Sequence, residues 1–351
     1  MYQIFISITC LVAILLGAGC LFMDSSPSHR STPVQTPAPE DLMQQIREQY
    51  PAPGELYDVN GYRMHLRCVG EGTPTVIMEA GSGDCSLSWA LVQQNVSQFT
   101  RVCTYDRQGY GWSDPVAGPV TAQNVTGSLH ALLTRANTTP PYVMVGHSLG
   151  GIYVRSYAHR YPDDVAGMVL VDPGSEWQMS RTGENFTREM KAAVGARAAV
   201  LREMGQEAAD GTFARNLSLV EKYADPRLPA WEYRAYRSLW ATVPSVWNAC
   251  ATEAESAFFL WDEVSRKNIT SLGDIPLIVL SSGKDMGFSA DPEVNAYANE
   301  VFRTLQKEMA GESPNGRYLI AQNSSHYIQI DEPELVTGAI RSVVDEVRRS
   351  P

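Results

Sequence analysis

One short segment of the chain has the residue types for nucleophilic chemistry. Gly146 to Gly150 reads GHSLG; the apolar run Tyr142–Val145 precedes it and a helical pattern, Ile152–Tyr161, follows it. A serine at a sharp turn between a strand and a helix stands above the edge of the sheet, and the flanking glycines avoid a collision of Cβ atoms across the turn. The first N–H groups of the helix point at the reacting centre. The pattern predicts Ser148 as a nucleophile.

A serine hydroxyl reacts only when a base takes its proton, and histidine is the usual base. Of the six histidines, His326 is the best candidate because it lies between the last strand signal, Arg317–Ala321, and the terminal helix. His147 belongs to the turn itself and is expected to pack or to form a hydrogen bond. The other four lie in strand or helix patterns or in the N-terminal Pro-rich segment: His29, His65, His130 and His159.

The elements that must position these residues alternate between short apolar runs and helical stretches. Glu55–Val59 and Tyr62–Val69 are predicted to form a hairpin with a type I′ turn at Asn60. Nearly continuous apolar runs with helices between them predict a mostly parallel sheet that is covered on both faces. Further strands are predicted at Thr75–Glu79, Arg101–Tyr105, Tyr142–Val145, Gly167–Val171, Leu277–Leu280 and Arg317–Ala321.

Residues 174–273 break this alternation because they contain helical patterns and no strand signal. An unstructured loop of that length does not fit a compact domain, so we interpret the segment as an inserted helical lid. Three of its aromatic residues, Tyr233, Tyr236 and Trp240, have helical spacing and are expected to form mainly the core of the lid. The core of the protein is then divided into residues 54–173 and 274–351.

A second motif accompanies the serine turn. Asp106 to Ser113 reads DRQGYGWS, and together with the GHSLG turn it resembles the α/β-hydrolase superfamily, in particular its serine esterases and lipases with a helical lid. The resemblance covers nearly everything from Glu55 to the end. It implies an eight-stranded, mostly parallel sheet flanked by helices. Epoxide hydrolases and dehalogenases of this superfamily use Asp at the turn, so Ser148 argues against both.

The resemblance also implies roles for further residues. His326 stands at the family's position for the catalytic histidine. Asp285, just after the seventh strand, is at its usual acid position, and Asp172, just after the sixth, is at an alternative one; we favour Asp285. The oxyanion is expected to be held by the backbone N–H groups of Leu149 and Ser82. No metal and no cofactor are implied.

Composition excludes several other classes of protein. The chain has 351 residues and a net charge of −11, without a Lys/Arg-rich run, which argues against a nucleic-acid partner. Outside the N-terminal leader no pair of cysteines has CxxC spacing, so a zinc site is not expected. One or two disulfides are compatible with the remaining four cysteines, and the sequence leaves their pairing open: Cys68, Cys85, Cys103 and Cys250.

The N-terminus predicts a location outside the cytoplasm. Residues 1–23 are apolar and uncharged, which fits a cleaved signal peptide, a membrane anchor, or a lipoprotein signal with Cys20 after the cleavage site. Residues 24–53 are interpreted as a Pro/Ser/Thr-rich tether. Seven sequons indicate a glycoprotein, although heavy N-glycosylation and a bacterial lipoprotein fit together poorly. The sequon asparagines are Asn95, Asn124, Asn137, Asn185, Asn216, Asn268 and Asn323.

These patterns favour an extracytoplasmic serine hydrolase that cleaves small to medium apolar carboxylic esters through an acyl-enzyme. Its partner would be a small-molecule ester, and any membrane contact would come only from the N-terminal segment. One alternative is an aminopeptidase of the proline-iminopeptidase type, which needs a lid carboxylate to hold the substrate amine. The lid offers four, Glu176, Glu232, Glu253 and Glu255. The other alternative is a ligand-binding protein that keeps the fold without turnover.

Overall fold

A computed structural model describes residues 39–115, 118–212 and 224–349. Its eight strands form one sheet in the order β1-β2-β4-β3-β5-β6-β7-β8. The pairs β1–β2 and β2–β4 are antiparallel and all other neighbours are parallel, so the predicted fold class is confirmed. The strands are β1 (Glu55–Val59), β2 (Tyr62–Val69), β3 (Thr75–Glu79), β4 (Val102–Tyr105), β5 (Tyr142–His147), β6 (Val165–Val171), β7 (Leu277–Ser282) and β8 (Gly316–Ala321).

Helices cover both faces of the sheet and form the lid. In the described residues they are α1 (Pro39–Gln49), α2 (Ala90–Val96), α3 (Ala122–Arg135), α4 (Leu149–Arg160), α5 (Gln178–Thr182), α6 (Glu184–Ala209), α7 (Ala230–Thr242), α8 (Pro244–Ser265), α9 (Pro292–Ala310), α10 (Ile328–Asp331) and α11 (Pro333–Arg349). Side chains alternate between the faces, as the pleat requires. Val76 and Met78 pack with α2 and α11, whereas Ile77 packs with α3, α4 and α9.

The strand order also locates the crevice in which a ligand can bind. Strand β3 lies between β4 on one side and β5 on the other, so the chain reverses its direction of travel across the sheet after β4. The loops after β3 and β5 therefore leave the sheet on opposite sides and open a crevice at its carboxyl edge. Ser148 follows β5 and the Gly81–Asp84 loop follows β3, so both lie at this crevice.

One disulfide joins the antiparallel part of the sheet. Cys68 of β2 and Cys103 of β4 are direct partners in the register, and their sulfur atoms are bonded across 35 residues of sequence. Closing a loop of that length in the unfolded chain stabilises the fold by about 4 kcal/mol in the chain-entropy description. Cys85 and Cys250 are buried free thiols.

The lid consists of helices α5–α8, and its described residues contain no strand, as predicted. Its centre is aromatic: Tyr236, Trp240 and Trp247 are buried against α1 and the loop that carries Trp112. The aromatic stripe is thus mainly lid core, whereas Trp261 on α8 belongs to a second cluster beside Ser148.

The segment interpreted as a tether is in part helical. Helix α1 occupies Pro39–Gln49, because Ile46 and Tyr50 find apolar partners in the lid, where the Tyr50 ring meets Trp231 edge-on. Tertiary packing therefore stabilises a helix that the local composition does not predict. The predicted leader, residues 1–23, and the tether as far as residue 38 lie outside the described residues. Among the helices that the structure describes, none is long and apolar enough to cross a bilayer.

Candidate active site

The turn at Ser148 has the sharp geometry that its sequence predicts. Ser148 adopts φ 53° and ψ −120°, a conformation that L-residues rarely take and that is found mostly at functional turns. A Cβ on Gly146 would lie 2.6 Å from the carbonyl oxygen of Gly150, and one on Gly150 would lie 2.6 Å from that of Glu79. Glycine is therefore required on both sides of the serine, and the backbone can expose the hydroxyl at the start of α4.

His326 reaches the serine from the far end of the sequence. Its Nε2 lies 2.9 Å from Ser148 Oγ, and its Nδ1 lies 2.8 Å from Asp172 Oδ2. The imidazole stands between a hydroxyl and a carboxylate, and the carboxylate is fully buried. In this arrangement the carboxylate holds the proton on Nδ1, so Nε2 is free to accept the proton of the hydroxyl.

The predicted acid Asp285 does not take part in this arrangement, and that prediction is corrected here. Its side chain is 61% exposed and forms an ion pair with Arg303 at 2.6 Å. Asp172, the alternative, is the carboxylate bonded to His326. Asp172 follows β6 and Asp285 follows the neighbouring parallel strand β7, so each comes after a strand at the same edge of the sheet. Only the partners of their side chains show which one acts on His326.

Asp172 is fixed by groups that the sequence analysis did not identify. Its Oδ1 accepts a hydrogen bond from the backbone N–H of Ser282 at 2.9 Å and from Gln306 Nε2 at 3.0 Å. Gln306 is fully buried on α9 among Phe302, Leu305 and Met309. The sequence did contain a signal of this role: Gln306 is a polar residue on the apolar face of a helix, and a buried polar side chain needs a hydrogen-bond partner.

Two predicted oxyanion donors, Leu149 and Ser82, line one cavity together with Ser148 and His326. Leu149 is the first residue of α4, where backbone N–H groups have no acceptor within the helix. The loop after β3 approaches closely, since a Cβ on Gly81 would lie 3.3 Å from Ser148 Cβ. The structure thus brings both sides of the predicted oxyanion site to the serine.

His147, as predicted, supports the turn. Its Nε2 lies 2.9 Å from the backbone oxygen of His326, and its ring packs against those of His326 and Tyr327. Burial, together with the electrostatic effect of the neighbouring His326 ring, holds the pKa of His147 well below its ordinary value. A neutral ring that donates from Nε2 to the carbonyl of His326 helps to fix the segment carrying the base.

The cavity at Ser148 is small and mainly apolar. Its volume is about 20 Å³, which is room for roughly one water molecule. Gln178 of α5 contributes a polar side chain to its wall. The apolar side chains of the wall are those of Ile152, Leu149, Ala257, Trp261, Met286 and Phe302. The lid contributes Ala257 and Trp261, so its helices form part of the wall around the hydroxyl.

Acidic and basic groups form a buried cluster beside the cavity. Arg107 pairs with Glu79 at 2.7 Å and with Glu253 of the lid at 3.0 Å. Although burial works against its charge, these carboxylates raise the pKa of Arg107 well above its ordinary value. Burial raises the pKa of Glu79, which also accepts a hydrogen bond from Tyr105. In the described residues no group of histidine, cysteine or acidic side chains is arranged to hold a metal ion.

Comparison with known proteins agrees with the fold. The model of the Alpha/beta hydrolase family matches residues 76–339. The chain belongs to this family. YqjL of Bacillus subtilis is 26% identical over 291 residues, which cover 82% of this chain and 91% of YqjL.

Other similarities are more partial or concern the fold alone. An uncharacterized protein of Schizosaccharomyces pombe is 32% identical over 167 residues, or 39% of this chain, but the match spans only 31% of that longer protein. The solved structure of a thermophilic esterase from Thermogutta terrifontis has a TM-score of 0.58 and 21% identity. That likeness covers 84% of this chain and 98% of the esterase.

Proposed function

We propose that the protein is a serine hydrolase of carboxylic esters. The observation that carries the proposal is the hydrogen-bonded chain from Ser148 Oγ through His326 to buried Asp172. Ser148 Oγ attacks the ester carbonyl carbon while His326 Nε2 takes its proton. The N–H groups of Leu149 and Ser82 stabilise the oxyanion, and the alcohol leaves with the proton from His326. Water then attacks the acyl-enzyme, His326 takes its proton and returns it to Ser148, and the acid is released.

The walls of the cavity support an apolar acyl or alcohol group as the preferred substrate. Trp261, Met286 and Phe302 surround the space next to the hydroxyl, and a pocket of this kind favours aliphatic or aromatic groups over charged ones. The packed walls around the hydroxyl favour small to medium groups over long chains, because each further methylene would have to displace another packed side chain.

An aminopeptidase is less well supported because the four lid carboxylates already have cationic partners. Glu176 pairs with Arg155, Glu232 with Arg67, Glu253 with Arg107 and Glu255 with Arg202. None of the four lines the cavity at Ser148. A substrate ammonium group would find no unpaired carboxylate there among the described residues.

The test of the proposal combines covalent labelling with turnover. We expect a fluorophosphonate probe to label the wild type and not Ser148→Ala. We also expect p-nitrophenyl esters with acyl groups of two to eight carbons to be hydrolysed faster than aminoacyl-naphthylamides. Ser156→Ala is the matched control, because Ser156 is buried on α4 with no hydrogen-bond partner for its hydroxyl in the described structure. An unlabelled wild type, or equal labelling of Ser148→Ala, would reject Ser148 as the nucleophile.

We further propose that the protein works outside the cytoplasm. The bonded pair Cys68 and Cys103 supports this, because structural disulfides persist mainly in oxidising compartments. We also propose that the protein is N-glycosylated, because the sequence contains seven sequons. Five of the sequon asparagines are exposed: Asn124, Asn137, Asn185, Asn268 and Asn323. Asn95 is half-buried, and Asn216 lies outside the described residues. The kind of N-terminal signal, including the lipoprotein option at Cys20, stays a prediction.

A further inference from the structure

Glu253 connects the lid to the loop that carries Ser82. It lies in the middle of α8, and its side chain is 1% exposed. Five donors surround its carboxylate: Ser82 Oγ at 2.8 Å, Gly83 N at 2.9 Å, Tyr110 OH at 3.0 Å, Arg107 Nη2 at 3.0 Å and Tyr153 OH at 3.4 Å. Two of these donors belong to the loop after β3, and the others come from the loop after β4 and from α4.

The surroundings of Glu253 on its own helix make this arrangement costly. Its neighbours along α8 are buried small or apolar residues, among them Ala251, Ala254 and Ala257. Burying a carboxylate in such a place is unfavourable unless donors compensate for the lost water. Packing of the lid alone would be served as well by an apolar residue, so the carboxylate points to a task at the loop that it contacts.

Arg107 fixes the same loop from its carbonyl side. Its Nη1 donates to the oxygen of Ala80 at 2.8 Å and its Nη2 to the oxygen of Gly81 at 2.7 Å. The peptide bond between Gly81 and Ser82 is trans, so its N–H points opposite to its C=O. Holding the Gly81 oxygen at Arg107 therefore turns the N–H of Ser82 away from Arg107. In the described structure that N–H has no acceptor, and Ser82 lines the cavity beside Ser148.

We propose that Glu253 is a positioning residue through which the docked lid sets the oxyanion loop: it holds Ser82, Gly83 and Arg107 so that the N–H of Ser82 faces the cavity. Glu253 does not touch the substrate, since its oxygens are already occupied by donors of the protein. Because Glu253 belongs to the lid helix α8, the position of the second oxyanion donor depends on how the lid packs against the loop. The inference deepens the proposed ester hydrolysis and rests on it.

The test separates binding of the ground state from binding of the oxyanion. Glu253→Gln keeps the size of the side chain but removes its charge. One carboxylate oxygen is replaced by an NH₂ group, which cannot accept the hydrogen bonds that the surrounding donors offer. Loss of a single oxyanion donor typically costs 10²- to 10³-fold in kcat, and we expect a displaced donor to cost about tenfold. KM for a p-nitrophenyl ester should change little, whereas Ki for an aryl trifluoromethyl ketone, which forms a tetrahedral adduct on Ser148, should rise in parallel with the loss of kcat.

Ser82→Ala provides a second variant that removes one loop-to-lid hydrogen bond and keeps the backbone N–H. If Ser82 acts through Glu253, its effect on kcat should largely disappear in the Glu253→Gln background. Glu263→Gln is the matched control. Glu263 is on the same helix and also accepts backbone N–H groups, those of Ala122 and Gln123, but these lie at the start of α3. Its kcat and Ki should match the wild type.

Two results would overturn the inference. One is an unchanged kcat and Ki in Glu253→Gln, and the other is a rise in KM alone, which would indicate direct contact with the substrate. Failure of the proposed function looks different, because a wild type that fluorophosphonate does not label would reject ester hydrolysis itself. A labelled wild type with an equally active Glu253→Gln would reject only the coupling of lid and loop.

Discussion

Replacing Asp172, the buried carboxylate bonded to His326, is the sharpest test of the site. In Asp172→Asn, the side-chain oxygen is expected to stay where Asp172 Oδ1 is, because two donors point there, the N–H of Ser282 and Nε2 of Gln306. The amide NH₂ must then face Nδ1 of His326. A donor at that position requires Nδ1 to be the acceptor, so the ring proton moves to Nε2, which can no longer take the proton of Ser148.

The size of the effect follows from this change of tautomer. Holding a catalytic imidazole in the wrong tautomer lowers kcat by about 10⁴-fold, or about 5.5 kcal/mol in the activation free energy. The matched variant is Asp285→Asn. Its partner Arg303 is on the surface, and an exposed ion pair contributes about 0–1 kcal/mol to stability, so kcat should stay within about twofold of the wild type.

The assay is steady-state hydrolysis of a short p-nitrophenyl ester, with thermal unfolding to confirm that both variants are folded. A value of kcat for Asp172→Asn within tenfold of the wild type would refute the tautomer argument. So would a hundredfold loss in Asp285→Asn, which would restore the acid that the sequence favours and require His326 to change partners during turnover.

Three further predictions concern stability, specificity and compartment. Burial raises the pKa of Asp84 to about 6; the folded protein therefore binds more protons than the unfolded chain between pH 4 and 6, and loses stability as the pH rises through that window. Asp84→Asn has no carboxyl that titrates at this position, so its free energy of unfolding relative to the wild type should rise by about 2 kcal/mol between pH 4 and 6.5, as measured by urea denaturation. Trp261 stands between the cavity at Ser148 and a surface depression, and Trp261→Ala should raise the ratio of kcat/KM for octanoate over acetate esters by about tenfold; an unchanged ratio would show that acyl chains take another route. In protein taken from its native compartment, mass spectrometry should find Cys68 and Cys103 alkylated only after reduction, and their alkylation without reductant would contradict the oxidising location.

Much of the fold could be predicted because its signals are local. The hairpin at Asn60, the buried strands and the glycines around Ser148 each depend on a few neighbouring residues, since a positive φ, a tight approach or a period of two is a property of the backbone there. Helix α1 was missed for the opposite reason. Its stability comes from Ile46 and Tyr50 against the lid, more than a hundred residues away in sequence.

The sequence by itself determined that Ser148 would stand at a turn above the carboxyl edge of a sheet and that His326 would follow the last strand. It favoured Asp285 over Asp172, which follows the adjacent strand, and that prediction was wrong. Helix α9 decides between them, because Arg303 and Gln306 lie one turn apart on it: the guanidinium pairs with Asp285 at the surface, while the amide holds Asp172 in the interior. The contact of Glu253 with the loop at Ser82 likewise exists only once the lid is folded, since residues 170 positions apart meet through tertiary packing and not through any local pattern.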